Sequence, residues 1–138
     1  MTLLPEERQA VVRIRMGNAE TALDDARVLL ARGSLRGAAN RLYYAAFHAV
    51  SALALTKGIT ARTHRGVIGF FHSQCIETGL VEPQFGYAFQ KAFEERSEAD
   101  YEDDVSLDAS ILATRISEVD DLVAAIRPLL DTSKSSKP

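Results

Sequence analysis

The feature that most constrains the fold is an apolar segment in the first half of the chain. From Ser34 to Lys57-Gly58 the sequence is apolar nearly all round and is rich in alanine. A helix without a polar face has to be covered on several sides. Small alanine side chains allow its neighbours to approach closely. The segment therefore predicts a buried, central helix.

Four further segments carry apolar residues at spacings of three and four, the periodicity of an amphipathic helix. They run from Pro5 to Arg32, from near Thr63 to Thr78, from Pro83 to Ala99, and from after Ser106 to about Leu130. No alternating strand pattern of useful length and no Gly-rich phosphate loop is visible. Short connections between long helices favour an antiparallel bundle. The sequence predicts an all-α fold.

The length of 138 residues suits one domain with one core. We expect the bundle to occupy residues 1–130. The last segment, residues 131–138, is rich in serine and lysine, and we expect it to be a disordered tail.

Composition indicates a cytoplasmic protein. No run approaches the roughly 20 apolar residues of a membrane span, and the N-terminus lacks the pattern of a secretory signal. The single cysteine, Cys75, cannot form an internal disulfide, which fits a reducing compartment. Residues 1–66 carry a net charge of +5 and residues 67–138 a net charge of −8, giving −3 overall. This balance argues against a duplex-DNA binder.

Arg41 and His48 are the first candidates for chemistry. Seven residues at about 100° each place them within roughly 20° of one another on a helix, with Tyr44 between them on the same stripe. A buried arginine requires a partner. The alternative to a functional role is therefore that Arg41 pairs with an acidic residue of another helix and that His48 is a core histidine.

A second group of candidates ends the fourth helix. Arg96 and Asp100 are four residues apart, so their side chains can face each other on a helix. The Tyr101 ring can fill an apolar site while its hydroxyl remains exposed to solvent. The alternative is a salt-bridge network that ends the helix. His64, at the start of the third helix, is either a site residue or a polar residue of an exposed first turn.

We expect no metal and no cofactor. The chain has no paired cysteines, no His-x-x-x-His and no Glu-x-x-His of a di-iron bundle. Cys75 lies on an apolar helix face, and we expect it to be a small core residue rather than a nucleophile.

Three blocks of the sequence together resemble the HEPN superfamily, in particular its small, stand-alone prokaryotic branch. They are Asn40-Arg41-Leu-Tyr43-Tyr44-Ala-Ala-Phe47-His48, Thr63-His64-Arg-Gly66-Val67-Ile68, and Arg96-Ser-Glu-Ala-Asp100-Tyr101. The resemblance implies an up-and-down antiparallel bundle of four main helices plus a short extra one, often a homodimer.

The resemblance also implies a function. Many HEPN proteins carry an arginine, four to six residues and then a histidine, and act as metal-independent endoribonucleases with sites completed at a dimer interface. Many form toxin–antitoxin pairs with a minimal nucleotidyltransferase. By this resemblance Arg41 and His48 are the catalytic pair. Two positions depart from the family pattern: Leu42 stands where a polar residue is usual, and Val50 stands where active toxins often have tyrosine.

Three interpretations remain open from the sequence. In the first, the chain is an RNase toxin with Arg41 and His48 at a dimeric site. In the second, it is a non-catalytic module that binds a nucleotide or a nucleotidyltransferase around Arg41, His64, Arg96 and Tyr101. In a third, the polar core residues serve stability alone.

Overall fold

The computed structural model of the chain describes residues 3–61, 63–101 and 107–130, with the backbone alone for 100 and 101. Within these ranges every regular element is helical, which confirms the all-α prediction. The elements are α1 (Pro5–Ala31), α2 (Leu35–Thr56), α3 (His64–Phe70), a π-helix (Phe71–Ile76), α4 (Pro83–Tyr101), α5 (Ala109–Ile126) and a 3₁₀ turn (Arg127–Leu130). The predicted tail, 131–138, lies outside the described residues.

Helix α2 is the centre of the bundle, as its composition predicts. It packs against α1, α4, α5 and α3. Leu42, Tyr43 and Leu53 are its largest fully buried side chains, and buried alanines line the rest of its surface. Each large apolar side chain buried here stabilises the fold by roughly 1.5–3 kcal/mol. In the described ranges no helix has the length and hydropathy to cross a membrane.

Helices α1 and α2 form an antiparallel hairpin. The predicted stripe of α1 is buried against α2 through Val12, Met16 and Leu23. The turn between them uses Gly33 at φ +83°, a conformation that costs other residues energy because of their Cβ. The hairpin therefore fixes which side of α2 faces α1 and which side remains for α3 and α4.

Two helix ends differ from the prediction. Helix α4 continues two residues beyond Ala99, to Tyr101. Helix α5 begins at Ala109, because the Asp108 carboxylate accepts hydrogen bonds from the Ser110 and Ile111 amides, while Ser106 lies outside the described residues. A hydrogen bond from the Ser110 hydroxyl to the same carboxylate, together with these backbone bonds, holds the pKa of Asp108 below its usual value.

The third predicted helix is divided into two kinds of helix. Its α-helical part begins as expected, with the Thr63 hydroxyl accepting a hydrogen bond from the Gly66 amide. After Phe70 the chain widens into the π-helix, in which Phe71 and Cys75 are buried. Periodicity assigns helical character to this stretch but cannot distinguish the wider turn. Helix α3 with the π-helix is the short extra element of the bundle.

A buried ion pair that the sequence did not predict joins α4 to α5. The Arg115 guanidinium donates two hydrogen bonds to the Glu95 carboxylate, at 3.0 and 2.8 Å. Both side chains are more than 90% buried, and Glu118 forms a further ion pair with Arg115. The bidentate geometry and the second carboxylate raise the pKa of Arg115 above its ordinary value. The pair fixes the register of α4 against α5.

Candidate functional site

Arg41 and His48 lie two turns apart on α2 and are both half-buried. Tyr44 lies between them. The guanidinium carbon of Arg41 is 5.3 Å from the centre of the Tyr44 ring, and the centre of the His48 ring is 6.0 Å from it. Helix α2 is unbroken over this stretch. The three side chains therefore follow one stripe, as their spacing predicts.

The Arg41 guanidinium is held by its neighbour in sequence. Its Nε and Nη2 donate to the side-chain oxygen of Asn40, at 3.1 and 2.9 Å. No carboxylate among the described side chains forms an ion pair with it. Asn40 is neutral, so the positive charge of Arg41 stays available to attract an anion.

His48 is surrounded by groups that oppose its protonation. Burial lowers its pKa below the ordinary value of 6.5, and the charges of Arg41 and Arg15 lower it further. Arg15 belongs to α1. Its guanidinium reaches this region and donates a hydrogen bond to the Ser51 hydroxyl of α2, at 2.9 Å. Near pH 7 the His48 imidazole is therefore neutral, and one ring nitrogen can accept a proton.

His64 lies beside this stripe because Tyr43 binds it. The Tyr43 hydroxyl is 2.6 Å from Nδ1 of His64. The His64 ring also lies 5.8 Å from that of Tyr44 and 5.0 Å from that of Phe47, between ring centres. Burial and the charge of Arg96 lower the pKa of His64. His64 is therefore partly buried against this stripe, and its role as a site residue stays a prediction.

Arg96 brings a second guanidinium from α4. Its central carbon lies 5.5 Å from the centre of the Tyr44 ring and 5.7 Å from that of Tyr43. A cation over an aromatic ring is stabilised by about 0.5–2 kcal/mol, more where water is excluded. Tyr44 therefore contacts the guanidiniums of both Arg41 and Arg96.

The structure thus brings together five of the seven residues predicted for the site. Arg41, Tyr44, His48, His64 and Arg96 are referred to below as the Arg–His cluster. The side chains of Asp100 and Tyr101 lie outside the described residues, so their predicted binding roles stay predictions. Chemically, the cluster offers neutral imidazoles beside two cations, an arrangement suited to an anion such as a phosphodiester.

Comparison with known families bears on this arrangement. The HEPN domain model matches residues 12–135, which is most of the chain and includes the whole cluster. The chain belongs to the HEPN domain family. The match confirms the resemblance drawn from the sequence.

Several curated proteins are similar to this HEPN chain. A "UPF0332 protein" of Thermotoga maritima is 33% identical over 128 residues, covering 93% of this chain and 97% of that protein. A protein of Methanocaldococcus jannaschii named "Putative toxin MJ0605" is 37% identical over 99 residues, covering 72% of this chain and 71% of that protein. A second toxin-named protein of the same organism is 35% identical over 65 residues, with 47% and 44% coverage.

Sequence reasoning did not assign four residues that support the cluster in this HEPN chain. Tyr43 and Asn40 stood inside the motif, and they hold His64 and Arg41 respectively. Ser51 is a polar residue within the apolar α2 segment. Its position there indicated that its hydroxyl has a specific hydrogen-bond partner. Its partner Arg15 could not be identified, because that pairing depends on how α1 crosses α2.

Cys75 is a core residue, as predicted. It is fully buried, and burial raises the pKa of its thiol to about 11, which keeps it protonated and unreactive near neutral pH. In the described part of the chain, no three His, Cys, Asp or Glu side chains converge where a metal ion could bind.

Proposed function

We propose that this HEPN protein is a toxin-type endoribonuclease that cleaves RNA without a metal ion, with Arg41 and His48 as its catalytic pair. The observation that carries the proposal is a half-buried His48, neutral near pH 7, on the same stripe as a guanidinium without a described carboxylate partner. The names of the two toxin relatives support the biological role.

The proposed reaction uses the RNA's own 2′-hydroxyl. Neutral His48 accepts the proton of that hydroxyl, and its oxygen then forms a bond to the adjacent phosphorus. The bond from phosphorus to the 5′-oxygen breaks, and this oxygen takes up a proton. The products are a 2′,3′-cyclic phosphate and a 5′-hydroxyl. The Arg41 fork holds the phosphate oxygens on which negative charge develops.

A homodimer would complete the site. One His48 supplies a proton acceptor, whereas the reaction also needs a donor for the leaving oxygen. A second copy of the pair, brought close by a two-fold dimer, would supply it from the protonated form of its own His48. We propose the cytoplasm as its location, since RNA is present there and the chain has one buried cysteine.

Cleavage of a labelled RNA by matched histidine variants tests the proposal. His48→Ala should lower the rate by at least about 100-fold, as loss of a general base usually does. His72→Ala is the control, because His72 is exposed and pairs with Glu77 outside the cluster. Arg41→Ala should also lose activity, whereas Arg13→Ala, at an exposed position of α1, should not.

The result that contradicts the proposal is equal cleavage by the wild-type and His48→Ala proteins, both with wild-type circular dichroism. Growth arrest on expression should follow the same order as cleavage. Arrest by His48→Ala at the wild-type level would separate the toxic effect from this site.

A non-catalytic role is the second candidate, and the locked geometry of the cluster favours it. Arg41 is bound to Asn40 and His64 to Tyr43, so the surface is preformed for a nucleotide or a minimal nucleotidyltransferase partner. In this role, Arg96 and Tyr101 would take part in the same surface. A wild-type protein that cleaves no RNA but co-purifies with a co-expressed nucleotidyltransferase, and loses it on Arg41→Ala, would favour this candidate.

A further inference from the structure

The hydrogen bond between Tyr43 and His64 determines where His64 carries its proton. Tyr43 is fully buried, and among the described residues its hydroxyl has one hydrogen-bond partner, Nδ1 of His64 at 2.6 Å. The two residues are 21 positions apart and come from α2 and α3. The contact is therefore a feature of the tertiary structure and not of local sequence.

The Tyr43 hydroxyl is the donor in this bond. Burial raises the pKa of Tyr43 well above its ordinary value, so the phenol keeps its proton. A buried hydroxyl proton needs an acceptor, and Nδ1 of His64 is the acceptor within reach. If Nδ1 carried a proton instead, the phenolic proton would lie in the core without a partner.

A neutral His64 whose Nδ1 accepts a hydrogen bond carries its proton on Nε2. The two nitrogens diverge on the five-membered ring, so Nε2–H is directed away from the buried Tyr43 hydroxyl. His64 is partly exposed. Burial and the Arg96 charge lower the pKa of His64, which favours the neutral form near pH 7.

His64 and His48 belong to the same small region. The centre of the Phe47 ring lies 5.0 Å from the centre of the His64 ring and 5.9 Å from that of His48. Together, these two distances place the histidine ring centres within about 11 Å of each other. Both imidazoles also contact the Tyr44 ring, on which Arg41 lies.

We infer that Tyr43 holds His64 as the neutral Nε2–H tautomer, and that this Nε2–H binds a nonbridging phosphate oxygen at the Arg41–His48 site. The inference rests on the proposed function for the identity of the ligand, a phosphodiester. Tyr43 is then a positioning residue and His64 is a ligand-contacting one. A neutral imidazole donates a hydrogen bond to developing negative charge without transferring a proton.

Nitrogen NMR of the ¹⁵N-labelled protein at slightly alkaline pH tests the tautomer directly. In the wild-type protein, the His64 spectrum should show a protonated Nε2 and an unprotonated Nδ1, with the assignment taken from its disappearance in His64→Gln. Tyr43→Phe removes the donor and should give a mixture of tautomers. A protonated Nδ1 in the wild-type protein, or an unchanged pattern in Tyr43→Phe, would overturn the inference.

The same spectra, recorded with added inorganic phosphate and then with a 2′-deoxy dinucleotide, test ligand contact without requiring cleavage. The resonances of His64 Nε2–H and of His48 should shift and saturate with the dinucleotide, while His72 should not respond. Equal shifts at His72, or none at His64, would remove the proposed contact.

Cleavage assays separate this inference from the proposed function. His64→Ala should lower the rate by about 100-fold, the usual effect of losing one oxyanion donor. His64→Gln, which places an amide donor near the position of Nε2, should recover part of the loss, and His64→Asn should not. Cleavage by the wild-type protein that is unaffected by His64→Ala overturns the inference alone, whereas absence of wild-type cleavage overturns the proposed function.

Discussion

His48 and His64 are both held neutral, but by different surroundings. Protonation of His48 is opposed by burial and by the charges of Arg41 and Arg15. Protonation of His64 is opposed by burial and by the charge of Arg96. His64 in addition shares a hydrogen bond with the Tyr43 hydroxyl. In the proposals above, the same residue type therefore serves as a proton acceptor at one position and as a hydrogen-bond donor at the other.

Both lowered pKa values predict a loss of stability in weak acid. The unfolded chain takes up protons at the ordinary histidine value of 6.5, whereas the folded chain takes them up only at lower pH. The free energy of unfolding should be highest above pH 6.5 and fall as the pH drops below it.

Urea denaturation at pH values on either side of that value measures this effect. His48→Gln, which cannot be protonated, should show a smaller loss of unfolding free energy on acidification than the wild-type protein. A wild-type protein that becomes more stable in weak acid, or a variant with the same loss, would contradict the reasoning.

At the scale of the helices, the sequence predicted the elements well and their contacts poorly. The burial of α2 could be predicted from the sequence because it depends on composition. The Arg41–Tyr44–His48 stripe could be predicted because it depends on helical geometry alone. The contacts from Tyr43 to His64 and from Arg115 to Glu95 join residues 21 and 20 positions apart. Neither could be derived without knowing how the helices cross.

Glu95 illustrates this limit. It precedes Arg96, for which the sequence left open a salt-bridge network at the end of α4. The structure instead places the Glu95 carboxylate in the core against Arg115 of α5. The next residue along α4, Arg96, lies over Tyr43 and Tyr44 of the cluster. The buried pair therefore helps to hold α4 in the register that the cluster needs.

The buried pair gives a prediction for stability. Arg115→Ala leaves the Glu95 carboxylate buried without its main partner and should lower the free energy of unfolding by about 3–5 kcal/mol. The double variant Glu95→Gln/Arg115→Met removes both charges and should be more stable than Arg115→Ala. Urea denaturation of the three proteins measures the difference. If Arg115→Ala and the double variant lost the same unfolding free energy, the unpaired Glu95 carboxylate would not be the cause of the loss.

At the scale of the whole molecule, an acidic protein that acts on RNA has to attract it locally. The net charge of −3 divides into a basic half up to residue 66 and an acidic half beyond it. Arg41 and the described contacts of Arg15 lie in the basic half, on α2 and α1. The proposed site thus lies in a small region of positive charge. The electrostatic attraction of this region reaches about 10 Å at moderate salt.

The central claim is that this bundle cleaves RNA through the RNA's own 2′-hydroxyl, with protein side chains alone as catalysts. The most direct test is to incubate the wild-type protein, with EDTA present, with an RNA oligonucleotide and with the same oligonucleotide carrying one 2′-deoxy nucleotide at the cleaved position. The account predicts cleavage of the first to a 2′,3′-cyclic phosphate end, and an intact linkage at the modified position of the second. Cleavage at the 2′-deoxy position, or activity that EDTA abolishes, would contradict it.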